Sequence, residues 1–130
     1  MNPLLEVKDV CLSYHSLSGE TAALSHISFH LMPEEFLAVV GPSGCGKSTL
    51  LNLICGLLHA ESGTILMNGK PLNKDSARIG YMLQKDHLLE WRSIYRNVLL
   101  GLEIQGELTK DNLSYVDELL NQLNTAVISY

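Results

Sequence analysis

Apolar and polar positions nearly alternate at the start of the chain. Over residues 4–14 the side chains of Leu5, Val7, Val10, Leu12 and Tyr14 recur at strand spacing, the period of a ribbon with one covered face. The step from Val7 to Val10 is one residue too long for strict alternation, which predicts a bulge near Asp9. Residues 16–20 break the pattern around Gly19. Leu24, Ile27, Phe29 and Leu31 then resume it over 23–31. Pro33, Glu34 and Glu35 read as a turn. The run FLAVV at 36–40 reads as a third strand. An antiparallel hairpin leading into that strand is the expectation for the first third of the chain.

Residues 50–58 form an apolar, helix-compatible segment. Glu61, Ser62 and Gly63 read as a turn, 64–67 as a short strand, and Asn68-Gly69 as a tight hairpin connection. Residues 70–76 are polar loop, and RIGYML at 78–83 is a further strand closing on Gln84. A polar triplet, 85–87, precedes Leu88, Leu89, Glu90 and Trp91. Residues 97–102 are helix-compatible. Thr109 is placed to cap another helix, with Asp111 in its first turn and Leu113, Val116, Leu119, Leu120 and Leu123 on one face. The sequence closes on residues 126–130.

Between the 36–40 run and the 50–58 segment lies GPSGCGKS, residues 41–48, which fits G-x-x-x-x-G-K-[ST] at every position. Strand, glycine loop and helix is the context in which that pattern cradles phosphate. Gly41, Gly44 and Gly46 permit unusual backbone angles and close approach to a ligand. The intervening Pro42, Ser43 and Cys45 complete the loop. Successive N–H groups from Ser43 to Thr49 can point into one concavity. A helix starting near Lys47 adds the positive end of its dipole. Lys47 supplies a full charge for the β- and γ-phosphates, and Ser48 a hard oxygen for Mg²⁺. Charge-assisted hydrogen bonds of about 1.5–3 kcal/mol each suffice for micromolar nucleotide binding.

The totals narrow the remaining possibilities. A chain of 130 residues predicts one domain. At 46 % hydrophobic and 18 % charged it is globular in character. A formal net charge of -5 argues against a nucleic-acid or anionic-membrane surface as its main business. The longest apolar stretches are about half the ~20 residues of a membrane span, and MNPLLEVKDV lacks the pattern of a secretory leader. Cys11, Cys45 and Cys55 are an odd number without C-x-x-C spacing and fit a reducing cytosol.

Tyr14 by itself reads as a half-buried strand tyrosine, with stacking on an adenine ring as the other possibility. His26 and His30 are four apart, the helical spacing of a metal pair. Ile27 and Phe29 between them indicate strand instead, and all five histidines are taken as non-ligands.

GPSGCGKSTLLNLICGLL (41–58), SGTILMNGK (62–70), IGYMLQKDHLL (79–89) and NVLLGL (97–102), with the opening LLEVKDVCLSY, resemble the ATP-binding subunit of an ABC transporter in order and spacing. The resemblance implies an α/β fold, a P-loop NTPase of ABC ATPase type with an N-terminal antiparallel β subdomain, incomplete at its C-terminus. Residues 1–130 would be the N-terminal part of one nucleotide-binding domain.

It also implies roles. Tyr14 matches the adenine-stacking aromatic, and Gly41 through Thr49 match the phosphate loop. Gln84 matches the glutamine that contacts Mg²⁺ and the attacking water. Leu88, Leu89 and Trp91 match the surface that meets the permease subunits. With Asn97 and Val98, they are also similar to an importer subgroup handling nitrate, sulfonates, taurine or pyrimidine precursors, although Glu90 stands where that subgroup has Pro. The implied cofactors are ATP and Mg²⁺. The implied partners are transmembrane permease subunits and a second ATPase subunit, at the inner face of the cell membrane, with no nucleic acid.

A signature loop, a Walker B strand ending Asp-Glu and a switch histidine complete such an ATPase. Leu17-Ser18-Gly19-Glu20 shares three letters with the signature but precedes the phosphate loop. Asp117-Glu118 sits in a helical pattern, not after an apolar strand. Neither is accepted. Lacking those neighbours, the 36–40 strand would expose apolar side chains and unpaired backbone. The chain alone is expected to bind ATP weakly or not at all and not to turn it over. A soluble ABC-type nucleotide-binding module without transport, or a remnant without activity, is the alternative.

Overall fold

A computed structural model describes residues 2–72, 79–85 and 87–123. It divides into two compact units, one ending at Ile79 and one beginning at Gly80.

The first unit is built on the predicted hairpin. Strands β1 (Leu5–Ser16) and β2 (Gly19–Leu31) pair antiparallel from Leu5↔Leu31 to Ser16↔Gly19, joined by Leu17 and Ser18. The register slips between Val7 and Val10, with Asp9 at φ 50°. This bulge has a packing purpose. Adding one residue to the ribbon restores the parity that a three-residue step would break, so Val7 and Val10 both face inward, at 1 % and 0 % exposure. The Asp9 N–H donates to Ser28 Oγ at 2.8 Å, and Asp9 Oδ1 lies 2.6 Å from His26 Nδ1. Both His26 and His30 lie on β2, as the strand reading holds.

Strand β3 (Ser62–Met67) pairs antiparallel with the other edge of β1, and β4 (Lys70–Pro71) closes a hairpin through Asn68 and Gly69. Both turn residues have positive φ, 51° and 75°, the combination a two-residue hairpin loop requires. The sheet order is β2-β1-β3-β4. Helix α1 (Lys47–Ile54) lays Leu50 and Leu53 on Leu5, Val7, Val10, Leu12 and Leu24. Each leucine so buried contributes about 1.5–3 kcal/mol. The helix stops at Cys55 and Gly56, where Gly56 N–H donates to Leu53 O and Leu57 N–H to Asn52 O, the paired closure of a left-handed cap.

Two predicted strands do not form. Residues 36–40 follow the Pro33-Glu34 turn without joining the sheet, leaving Phe36 91 % and Val40 89 % exposed. A strand needs a hydrogen-bonding neighbour, and among the described residues none lies alongside. Residues 79–83 likewise join no strand of the sheet, and Met82 is exposed. Arg78, residues 73–76 of the polar loop and the closing 126–130 lie outside the described residues.

Among its described residues the second unit holds three helices. α2 (Ile94–Val98) is capped by Ser93, whose Oγ accepts from Arg96 N–H. α3 (Leu100–Gln105) follows directly after Leu99 and ends at Gly106 with φ 70°. The single helical segment expected over 97–102 is therefore the junction of two short helices. α4 (Lys110–Gln122) starts at Thr109, whose hydroxyl accepts from Asn112 N–H at 3.2 Å, with Asp111 in its first turn. Asp117 and Glu118 are helical, as their rejection as a strand end requires. Of the predicted α4 stripe, Val116 is buried while Leu119 and Leu123 remain exposed. No helix among the described residues is long and apolar enough to cross a membrane.

Candidate functional site

The glycine loop is shaped by its own backbone. Cys45 N–H donates back to Pro42 O at 3.4 Å. Gly44 and Gly46 take φ 78° and 101°, angles that cost an L-residue about 1–2 kcal/mol. Gly46 has a second constraint: a Cβ there would lie 2.5 Å from Ala23 O and 3.1 Å from Leu24 Cδ2 on β2. The loop thus enters α1 by resting its backbone on the hairpin.

Gly46 is the N-cap of α1 and brings no side-chain acceptor. The N–H groups of Lys47, Ser48 and Thr49 have no acceptor within the helix. An anion there would face about half a positive charge from the dipole.

Lys47 adds the full charge. Its Nζ donates to Gly41 O at 2.5 Å and Pro42 O at 2.7 Å, and lies 3.6 Å from Cys45 Sγ. The ammonium is therefore folded over the start of its own loop. Gly41 lacks the Cβ that would meet Cys45 Sγ at 2.6 Å. Gly41, Pro42, Ser43, Gly44, Cys45 and Ser48 are exposed, and Lys47 and Thr49 half-buried. The arrangement can seat an anion of several oxygens, with the Ser48 hydroxyl open beside it. One hard oxygen beside a phosphate nest fits Mg²⁺, which keeps waters and takes most other ligands from phosphate.

Tyr14 reaches the same place. Its hydroxyl lies 3.2 Å from Thr49 Oγ1, and the residue is 49 % exposed. The structure thus brings together Tyr14, the glycine loop, Lys47, Ser48 and Thr49. Gln84 belongs to the second unit, exposed and outside any helix or strand. In that unit Leu88 and Trp91 are exposed, at 57 % and 81 %, and Leu89 is half-buried.

Two contacts have no sequence signal. Tyr14 and Thr49 are 35 residues apart. His15 Nε2 lies 3.0 Å from Glu61 Oε1, while Glu61 Oε2 accepts from Ser13 N–H at 3.1 Å. Together they tie the end of β1 to the segment before β3. Glu20, cross-strand from His15, completes an exposed group whose donor atoms lie within 4.8 Å of one another. The three cysteines are free, and burial pushes the Cys55 thiol above its ordinary range.

A glycine loop entering a helix, backed by a hairpin and edged by an aromatic, is the layout of a nucleotide-binding cassette. Residues 24–129 match the sequence profile of the ABC transporter family, and the chain belongs to that family. It is 44 % identical over 108 residues to an uncharacterized ABC transporter ATP-binding protein, YtlC, of Bacillus subtilis, spanning 83 % of this chain and 42 % of that protein. It is 36 % identical over 118 residues to the taurine import ATP-binding protein TauB of Ruegeria pomeroyi, spanning 90 % of this chain and 44 % of that one. The chain therefore spans less than half the length of these curated relatives. Among solved structures, the dimeric post-hydrolysis state of the ATP-binding cassette MJ0796 bound to ADP and Pi aligns with a TM-score of 0.77 at 26 % identity. That alignment covers 90 % of this chain and 56 % of the other.

Proposed function

We propose that this chain carries the nucleotide-binding apparatus of an ABC importer's energy-coupling ATPase, for small anionic or nitrogen- or sulfur-containing solutes. The observation that carries this is the loop geometry: Lys47 Nζ on the carbonyls of Gly41 and Pro42, beside three uncapped N–H groups of α1.

Phosphate would be bound by the loop N–H groups and by Lys47, whose charge offsets that developing on a transferred phosphoryl group. Ser48 would hold Mg²⁺, which when bound neutralises phosphate charge. Gln84 would orient the attacking water, and Tyr14 would stack on adenine. The dimeric cassette supports pairing with a second ATPase subunit. The taurine import relative supports an import role; docking on a permease at the inner membrane face is part of the same proposal, with the exposed Leu88 and Trp91, and Leu89, as its surface. In this reading the 1–130 chain is the N-terminal part of one nucleotide-binding domain, binding ATP weakly, or not at all if the chain alone does not fold, and not hydrolysing it.

The test is calorimetric titration of the chain with Mg-ATP, with Lys47→Ala alongside and circular dichroism of both. Saturable binding lost in the variant supports the reading. A folded chain that binds no nucleotide overturns it. Turnover that Lys47→Ala abolishes overturns the hydrolytic part.

A further inference from the structure

The phenol oxygen of Tyr14 and the Oγ1 of Thr49 are 3.2 Å apart, and either can be the donor. The direction of that bond decides what the loop offers an anion. A threonine hydroxyl has one proton and two lone pairs. If Thr49 donates to Tyr14, only lone pairs remain to face a phosphate, and they repel it. If Tyr14 donates to Thr49, the Thr49 proton is free to turn toward the anion. Phosphate oxygens can only accept, so occupancy of the first turn of α1 selects the second direction.

We propose that Tyr14 is a positioning residue for phosphate: its O–H donates to Thr49 Oγ1 and aims the Thr49 proton at an anion on the first turn of α1. The relay rests on the phosphate reading of the loop. It is distinct from stacking, which uses the face of the ring and not its hydroxyl. Consecutive O–H donors polarise one another, strengthening each bond by about 10–30 %. The scaffold suits such a relay. Tyr14 is fixed in the β1–β2 ladder opposite Thr21, Thr49 lies in the first turn of α1, and the two elements meet where Gly46 rests on Ala23.

Calorimetric titration of the full chain with inorganic tripolyphosphate and with ATP separates the hydroxyl from the ring. Wild type, Tyr14→Phe, Tyr14→Ala, Thr49→Val and the Tyr14→Phe/Thr49→Val pair are compared, with circular dichroism as a fold control. Tyr14→Phe keeps the ring and is expected to weaken both ligands equally, about 1.5- to 3-fold, because the bond is lost from the free and the bound chain alike and only its orienting and polarising share counts. Tyr14→Ala weakens ATP further than tripolyphosphate. Once Thr49→Val is present, Tyr14→Phe costs nothing more. The proposal is overturned if Tyr14→Phe leaves tripolyphosphate binding unchanged or tighter, or if the two losses add. A wild-type chain that binds neither ligand overturns the phosphate reading itself, and this inference with it.

Discussion

Asn97 holds Leu89 by both of its backbone groups. The Leu89 N–H donates to Asn97 Oδ1 at 2.8 Å, and Asn97 Nδ2 donates back to Leu89 O at 3.1 Å. The same Nδ2 reaches Arg92 O and Ser93 O at 3.2 and 3.1 Å. One half-buried amide therefore fixes the path of the chain through Leu89 and into α2, and so sets how Leu88 and Trp91 are presented.

Asn97→Ala takes this partner from the Leu89 N–H and the Arg92 carbonyl, while Leu89 O keeps the Arg92 N–H and Ser93 O keeps the backbone N–H of residue 97. Each half-buried group so orphaned costs about 1–3 kcal/mol, and water recovers part of it, so a net loss of about 2–3 kcal/mol is expected. The measurement is the urea midpoint, with limited proteolysis reporting faster cleavage between residues 88 and 92. An unchanged midpoint and cleavage pattern would show that the stretch keeps its shape by other means.

The two interior glycines of the 41–48 loop separate strain from collision. Gly44→Ala meets nothing within 4 Å and carries only the left-handed backbone cost, about 1–2 kcal/mol. Gly46→Ala carries a similar cost and also drives a methyl against Ala23 O at 2.5 Å. Gly46→Ala is expected to lower stability at least twice as far as Gly44→Ala, read from denaturation midpoints. Equal losses would mean that α1 lifts off the hairpin freely.

Tyr95 gives the second unit a pH signature. Its phenol donates to Asp117 Oδ1 at 2.8 Å, which with some desolvation and the carboxylate's charge pushes its pKa above the ordinary value. The folded chain therefore holds that proton more tightly than the unfolded one. The resulting stability is complete below the unfolded tyrosine pKa, about 10, and is lost as pH rises through the higher folded value. Phenolate absorbance during alkaline titration should include a late component that disappears in Tyr95→Phe and moves down in Asp117→Ala. No change in either variant would place the late titration elsewhere.

Local chemistry made much of this architecture readable. The irregular Val7-to-Val10 step announced the bulge, Asn68-Gly69 the hairpin, and Thr109 with Asp111 the start of α4, because each signal acts within a few residues. The loop from Gly41 to Ser48 was legible for the same reason. The misreadings share an opposite cause. Residues 36–40 and 79–83 have strand composition, but strand formation depends on neighbours that composition does not reveal. The helix junction at Leu99 lies inside the apolar run 97–102 because Ser93 caps a helix that begins at Ile94, ahead of that run. Tyr14 and Thr49 meet through the packing of α1 on β2, which no spacing rule encodes.

The seat of Gly46 on the Ala23 carbonyl bears on transplanting the loop. An octapeptide copied from residues 41–48 into another strand-loop-helix carries its glycines and lysine, but not the platform beneath them. Without a backbone surface at that height, the helix start can settle into other rotations, each aiming its N–H groups differently. The smallest portable form of this loop therefore includes the β2 segment around Ala23 and Leu24.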